Sequence, residues 1–168
     1  MRDGEGVRDV SLRECFAEAH VIRALAGEVA TQDAAILRLL LAILHRSVAD
    51  LPEYAVDVWR GLWAAPTLPL VAIDQYLDRV EGRFNLFDDV APFLQVADLS
   101  AAKTSGLVKL VADVPDGAPF FTTRAGVELE SLSLSEAARW LVHVQAFDPS
   151  GIKTGMQGDP RVKGGKGY

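Results

Sequence analysis

The sequence predicts a mainly α-helical domain with minor β structure, interrupted by long loops. Three observations predict it. Two Ser-x-x-Glu signatures each open an apolar stripe at helical spacing. The longest apolar run, 34–44, holds a single charge, Arg38, and reads as a buried helix. The stretches 119–132 and 149–168 are rich in Gly, Thr or Pro and lack an apolar period, so they read as loops.

The elements follow in order. Ser11-Leu-Arg-Glu14 is a capping box, with Ser at the cap and Glu three residues on. Leu12, Cys15, Phe16, Ala19, Ile22 and Ala26 then repeat at helical spacing, predicting a helix over 12–26 that Gly27 ends. Thr31 is the predicted cap of a helix over 31–47. Its apolar residues cover nearly every face, which predicts a central position with Leu37, Leu40, Leu41 and Leu44 buried. Pro52 opens a helix over 52–64 with Ala55, Val58, Trp59 and Leu62 on one side. Pro69 opens another over 69–81, with Leu70, Ile73, Leu77 and Val80 in register and a stop near Gly82. Asp88-Asp89 and Pro92 predict turns between Phe84 and Thr104. Leu107 to Val114 fits a short strand or a helical turn. Ser133-Leu-Ser-Glu136 is the second capping box. It opens a helix over 134–147 that turns Ala137, Trp140, Leu141, Val144 and Phe147 inward. Trp59, Trp63 and Trp140 all sit on helical stripes and are assigned to the core. The expected organisation is a helical core domain over 1–148 carrying the loop 119–132, then a basic glycine-rich tail over 149–168.

Composition narrows the function. The chain has 168 residues, 49% hydrophobic and 24% charged, enough for one domain with a real core. A pI near 5.0 argues against a surface that coats nucleic acid broadly. Cys15 stands alone, so no internal disulfide or cysteine-based zinc site is expected. The polar start Met-Arg-Asp-Gly-Glu-Gly is not a signal peptide, and the run 34–44 is too short to span a bilayer. A cytoplasmic protein with no membrane partner is expected.

Enzyme signatures are missing. His20, His45 and His143 are far apart, and none has a second ligand at metal-binding spacing; each reads as a helix-surface or core-edge histidine. There is no Gly-x-Ser-x-Gly elbow. Asp88-Asp89 reads as a solvated turn. The tail mimics a phosphate-binding loop only in part, because Gly167 follows Lys166 where Ser or Thr should hold magnesium, and Pro160 replaces the first glycine. The expectation is no catalysis, no cofactor and no metal.

The tail concentrates the remaining signal. Six of the 14 glycines lie in it, at 151, 155, 158, 164, 165 and 167. Lys153, Arg161, Lys163 and Lys166 face one acid, Asp159, for a net +3. The rest of the chain holds 13 basic and 22 acidic residues, net −9, giving −6 overall. Glycine allows close backbone approach, and successive exposed amides form an anion-binding concavity. A basic glycine segment on an acidic body points to a local phosphate contact. The other reading is a disordered tail, for which Ile152, Met156, Val162 and Tyr168 are unusually apolar.

A family resemblance rests on four segments. Gln145-Ala-Phe-Asp-Pro-Ser-Gly-Ile-Lys-Thr-Gly, continuing through Gly158-Asp-Pro-Arg-Val-Lys-Gly-Gly-Lys-Gly-Tyr168, resembles the large subunit of the type I-E CRISPR surveillance complex, the CasA family of Cascade. Thr31-Gln-Asp-Ala-Ala-Ile-Leu-Arg-Leu-Leu-Leu-Ala-Ile-Leu-His-Arg is similar to that family's early core helix. Pro92-Phe-Leu-Gln95 resembles its Pro-Phe-Met-Gln-like segment. Phe120-Phe-Thr-Thr-Arg124 falls where the family has a flexible loop beginning with phenylalanine. The similarity runs from about Val7 to Tyr168.

The resemblance implies recognition of foreign DNA without catalysis. The family's large subunit sits near the 5′ handle of the guide RNA. It inspects the protospacer-adjacent motif from the minor groove with a glycine-rich loop, helps open the duplex, and positions a recruited helicase-nuclease. By that likeness the DNA-binding candidates are Gly151, Lys153, Gly155, Arg161, Lys163, Gly164, Gly165, Lys166 and Gly167. Both Gly151–Gly155 and Gly164–Gly167 are candidates for the probing loop. Phe121, Thr122, Thr123 and Arg124 are the candidates for contact with the guide RNA or a neighbouring subunit. The implied partners are the other Cascade subunits, guide RNA, double-stranded target DNA and the helicase-nuclease. The family also opens with a short strand of the kind Leu-Leu-Asp-x-Pro-Trp-Ile-Pro, and continues for several hundred residues beyond the matched region. The expectation is therefore an N-terminal fragment, a truncated product or a split subunit. The competing expectation is a non-catalytic helical adaptor for another protein, with a disordered basic tail.

Overall fold

Helices dominate the computed structural model, which describes residues 2–3, 6–49, 55–98, 105–114 and 130–147. The described fold is mainly α with minor β. The chain divides into two compact units, Met1–Gly82 and Arg83–Tyr168.

The first unit begins with β1 (Arg2–Asp3) and β2 (Gly6–Val7), paired antiparallel with Arg2 opposite Val7. Gly6 has φ +142°, a backbone state that side-chain-bearing residues avoid. Helix α1 (Leu12–Ala17) is opened by the expected box. Ser11 Oγ accepts the Glu14 amide at 3.2 Å, and the Glu14 carboxylate accepts the Ser11 amide at 2.7 Å. That backbone bond is the main force holding the Glu14 carboxyl below its ordinary range.

The expected helix over 12–26 is shorter in the structure. Helix α1 stops at Ala17, and the amides of Val21 and Ile22 turn back to the Glu18 carbonyl. Short helices persist mainly through packing, and α1 has already buried its apolar pair Cys15 and Phe16 by that point, whereas Ala19 is exposed. Gly27 does not end α1 either. Its amide donates to Asp33 Oδ1 at 2.5 Å, which makes it part of the entry to the next helix.

Helix α2 (Ala30–Val48) starts from Val29, an extended cap residue without a side-chain cap bond, rather than from Thr31. Two side chains of its first turn reach back instead: Asp33 to the Gly27 amide, and Gln32 Oε1 to the Glu28 amide at 3.0 Å. Gln32, Ala35, Ile43, Leu44 and Val48 are buried. Leu37 and Leu41 are exposed and Leu40 is half-buried, so the expected all-round burial of α2 is wrong. The reason is packing. Helix α2 lies on α4 (Leu70–Val80), and one neighbouring helix covers one stripe of a cylinder.

Helix α3 (Ala55–Ala64) buries Val58 and half-buries Trp59, whose ring meets His45 of α2 at 4.4 Å between centroids. Trp63 is 93% exposed, against the expectation that it joins the core. It lies seven residues from exposed Val56, two helical turns along the same face. Helix α4 begins after Pro69 and buries Ile73 and Leu77, as the register predicts. Arg13 of α1 bridges Asp74 at 2.7 Å and Asp78 at 2.5 Å on α4. Both carboxylates raise the Arg13 pKa further, Asp74 foremost.

In the second unit, the segment that fits a strand or a helical turn is a turn. A 3-10 helix spans Leu107–Lys109, and Val111 and Val114 behind it are buried. Helix α5 (Leu134–Phe147) follows Ser133, whose Oγ accepts the Glu136 amide at 3.2 Å. Trp140 is fully enclosed, as expected. Its buried companions are Val142 and His143, whereas Leu141 and Val144 are half-buried and Phe147 is exposed. His143 is therefore an interior histidine. Among the described residues no helix is long and apolar enough to cross a membrane.

Candidate functional site

All thirteen candidate contact residues, Phe121 to Arg124 in one segment and Gly151 to Gly167 in the other, lie outside the described residues. The described part of the second unit does contain two segments that carry the family resemblance, and it joins them.

The first is the turn-rich segment 84–98. Asn85 Oδ1 accepts the Phe87 amide at 2.9 Å. Asp88 Oδ1 accepts the Ala91 amide at 2.7 Å and the Val90 amide at 2.9 Å. These are side-chain-closed turns, the reason Asn and Asp are common in such segments. The Ala91 amide, followed by that of Val90, holds the Asp88 carboxyl below its ordinary range.

Pro92-Phe-Leu-Gln95 then closes the loop onto its own beginning. The Phe93 amide donates to the Asn85 carbonyl at 2.8 Å, and Gln95 Nε2 donates to the Leu86 carbonyl at 3.0 Å. The rings of Phe84 and Phe93 meet at 5.4 Å. Leu94 has φ 53° and Asp98 φ 52°, both in the left-handed region. For a leucine that state costs roughly 1–2 kcal/mol and survives only where surrounding bonds impose it.

The second segment supplies one such bond. Gln145, the first residue of the stretch leading into the glycines, donates from Nε2 to the Leu94 carbonyl at 3.3 Å. The Pro-Phe-Leu-Gln segment and the start of the glycine segment are thus joined across 51 positions of sequence. On the same helix, His143 packs edge-on to Trp140 at 5.3 Å and stacks on Phe147 at 5.5 Å. Burial lowers the His143 pKa.

Asp113 is pushed the other way, upward, by burial first and then by the charge of Glu136. Among the described residues no three or more His, Cys, Asp or Glu side chains gather as a metal site would need. Sequence reasoning missed His143 as an interior residue and missed the Gln145–Leu94 bond. The spacing of Trp140, His143 and Phe147, three and then four residues apart, carries a signal for the first. No sequence pattern marks the second.

The family profile described as CRISPR-associated protein Cse1 matches residues 1–168. The crystal structure of Cse1 from Thermobifida fusca superposes with a TM-score of 0.82 at 47% identity, over 99% of this chain and 32% of that one. Cse1 from Acidimicrobium ferrooxidans gives 0.75 at 38% identity, over 99% of this chain and 31% of that one. The CRISPR-associated protein CasA/Cse1 of Thermus thermophilus is 34% identical over 153 residues, which is 89% of this chain and 30% of the relative. The chain thus spans about a third of the length of the proteins it matches. A match along the whole chain, in sequence and in fold, makes it a member of the CRISPR-associated protein Cse1 family.

Proposed function

We propose that this chain serves as part of the large subunit of a type I-E CRISPR surveillance complex. Its glycine-rich segment 149–168 helps read the protospacer-adjacent motif on foreign double-stranded DNA. Phe121, Thr122, Thr123 and Arg124 contact the guide-RNA handle or an adjacent subunit. The role is recognition without catalysis, and the recruited helicase-nuclease does the cutting.

The observation that carries this reading is the family match over residues 1–168. The residue types of the tail support it. A backbone bare of side chains fits the minor groove, about 6 Å wide. Lys153, Arg161, Lys163 and Lys166 supply the cations that flanking phosphates require, and phosphate contacts position without specifying sequence. The acidic remainder of the chain supports a role inside a larger assembly, because the isolated chain should bind duplex DNA weakly.

The experiment is duplex binding by a reconstituted complex, with and without the motif. Lys163→Ala and Lys166→Ala should weaken binding to both duplexes alike and lower the salt slope by about 1 unit per lost phosphate contact. Gly165→Val should impair motif-bearing DNA more than motif-free DNA. Equal losses from Gly165→Val on both duplexes remove the motif-reading role. No loss from any of the three favours the adaptor with a disordered tail. Phe121→Ala should reduce incorporation into the complex at an unchanged melting temperature; a sharp drop in melting makes Phe121 a core residue instead.

A further inference from the structure

We infer that the segment 84–98 is a preformed protein-docking loop, whose exposed side chains Phe87, Val90 and Val96 enter an apolar pocket rimmed by Lys or Arg on a neighbouring protein subunit. The inference rests on the proposed place in a surveillance complex and assigns a contact separate from the loops 119–132 and 149–168.

Three observations carry it. Phe87 is 72% exposed, Val90 84% and Val96 69%, so three large apolar side chains within ten residues face solvent. Single exposed apolar residues are ordinary, but a cluster on one loop marks an interaction surface. Phe87 and Val96 each follow one member of the bonded pair Leu86 and Gln95 in sequence.

The backbone beneath them is already fixed. Bonds to Asn85, Leu86, Asp88 and Leu94 hold the segment in one shape, including the left-handed residue Leu94. A loop ordered before binding loses less entropy on docking, which is how a small contact becomes a tight one. An exposed aromatic on such a frame has the character of an interface anchor.

Charge selects the kind of partner. From residue 83 to residue 98 the bases are Arg83 alone, and the acids are Asp88, Asp89 and Asp98. A nucleic-acid backbone brought to this loop would meet like charge. A protein pocket with cationic residues at its rim would meet opposite charge, which speeds encounter and sets orientation.

The test titrates labelled chain into the purified remainder of the surveillance complex, and separately into naked guide RNA. Phe87→Glu and Val90→Glu should each weaken binding to the complex roughly tenfold or more, with melting temperature and guide-RNA binding unchanged. Asp89→Lys should weaken binding at low salt and flatten its salt dependence. Should Phe87→Glu disturb melting, the Val90→Glu and Asp89→Lys results decide. Binding equal to wild type in both glutamate variants overturns the docking loop and leaves the proposed function standing. A matching loss on naked guide RNA makes the loop an RNA contact and also overturns it. Failure of the unsubstituted chain to bind the complex refutes the proposed function itself.

Discussion

Leu44 and Leu41 lie three residues apart on α2, and the structure gives them opposite fates. Leu44 is 8% exposed and Leu41 is 44% exposed. Truncating each to alanine separates the two contributions to a core leucine. Burying a leucine fully is worth about 1.5–3 kcal/mol, and removing a buried one leaves a cavity that raises the loss to about 2–5 kcal/mol. Leu44→Ala therefore belongs in that higher range. Leu41 keeps only about half its burial and leaves an open notch that water fills, so its loss is the transfer part alone, about 1 kcal/mol. In a unit of this size each kcal/mol moves the melting temperature by about 4–8 °C, so Leu44→Ala should melt on the order of 10 °C or more below wild type and Leu41→Ala well under that. Thermal melts followed by circular dichroism, with urea titrations as a check, measure both. Equal losses, or a larger loss for Leu41→Ala, would refute the one-sided packing of α2 on α4.

Three further outcomes follow from side-chain geometry. In Gly27→Ala the new Cβ would lie 2.7 Å from Gln32 Oε1 and 2.8 Å from Asp33 Oδ1, displacing the groups that bind the Gly27 and Glu28 amides. A loss of about 1 kcal/mol, the usual worth of a helix-entry cap, should appear in urea titration, and an unchanged midpoint contradicts the back-reaching cap. Burial lowers the folded-state pKa of His143, so the unfolded chain takes up the proton first as pH falls. The stability tied to His143 is complete above its ordinary pKa of about 6.5 and declines below it, and His143→Phe should flatten melting temperature against pH over that range; an identical slope in the variant rules this out. Asp113 has its pKa raised by burial and by Glu136, so its contribution is best at acid pH and is lost as pH rises through the carboxylate range. Asp113→Asn should melt at or above wild type at pH 7, with the difference shrinking on acidification, and a lower melting point at pH 7 contradicts the sign.

Much of the fold was legible because it is local. The box at Ser11–Glu14, the Ser133 cap, and the stripe of Ile73 and Leu77 follow from hydrogen-bond reach and helical period, and the structure has them all. What stayed hidden depends on which face of a helix meets a neighbour. Leu37, Leu41 and Trp63 have core-like chemistry and sit on solvent faces. His143 has surface-like chemistry and sits inside. The end of α1 was misplaced because an apolar stripe continues past the point where packing does. At the site, the family likeness pointed to Pro92-Phe-Leu-Gln95 and to Gln145 separately. Their junction is a bond across 51 positions, and the left-handed backbone at Leu94 has no sequence signature, since leucine is a poor residue for it.

That junction also bears on how the chain acquires its shape. The turns at Asn85 and Asp88 involve neighbours two or three positions away and can form as soon as those residues meet. The Leu94 carbonyl gets its Gln145 partner only after α5 is built and brought alongside, and contacts so distant in sequence form late because a long loop must close first. The segment 84–98 is therefore the kind of structure completed last, and on a chain made from its N-terminus it waits for residues still to be synthesised. Weakening α5 should leave a protein whose early helices are intact and whose docking loop is unfinished, a defect visible in assembly before it is visible in helix content.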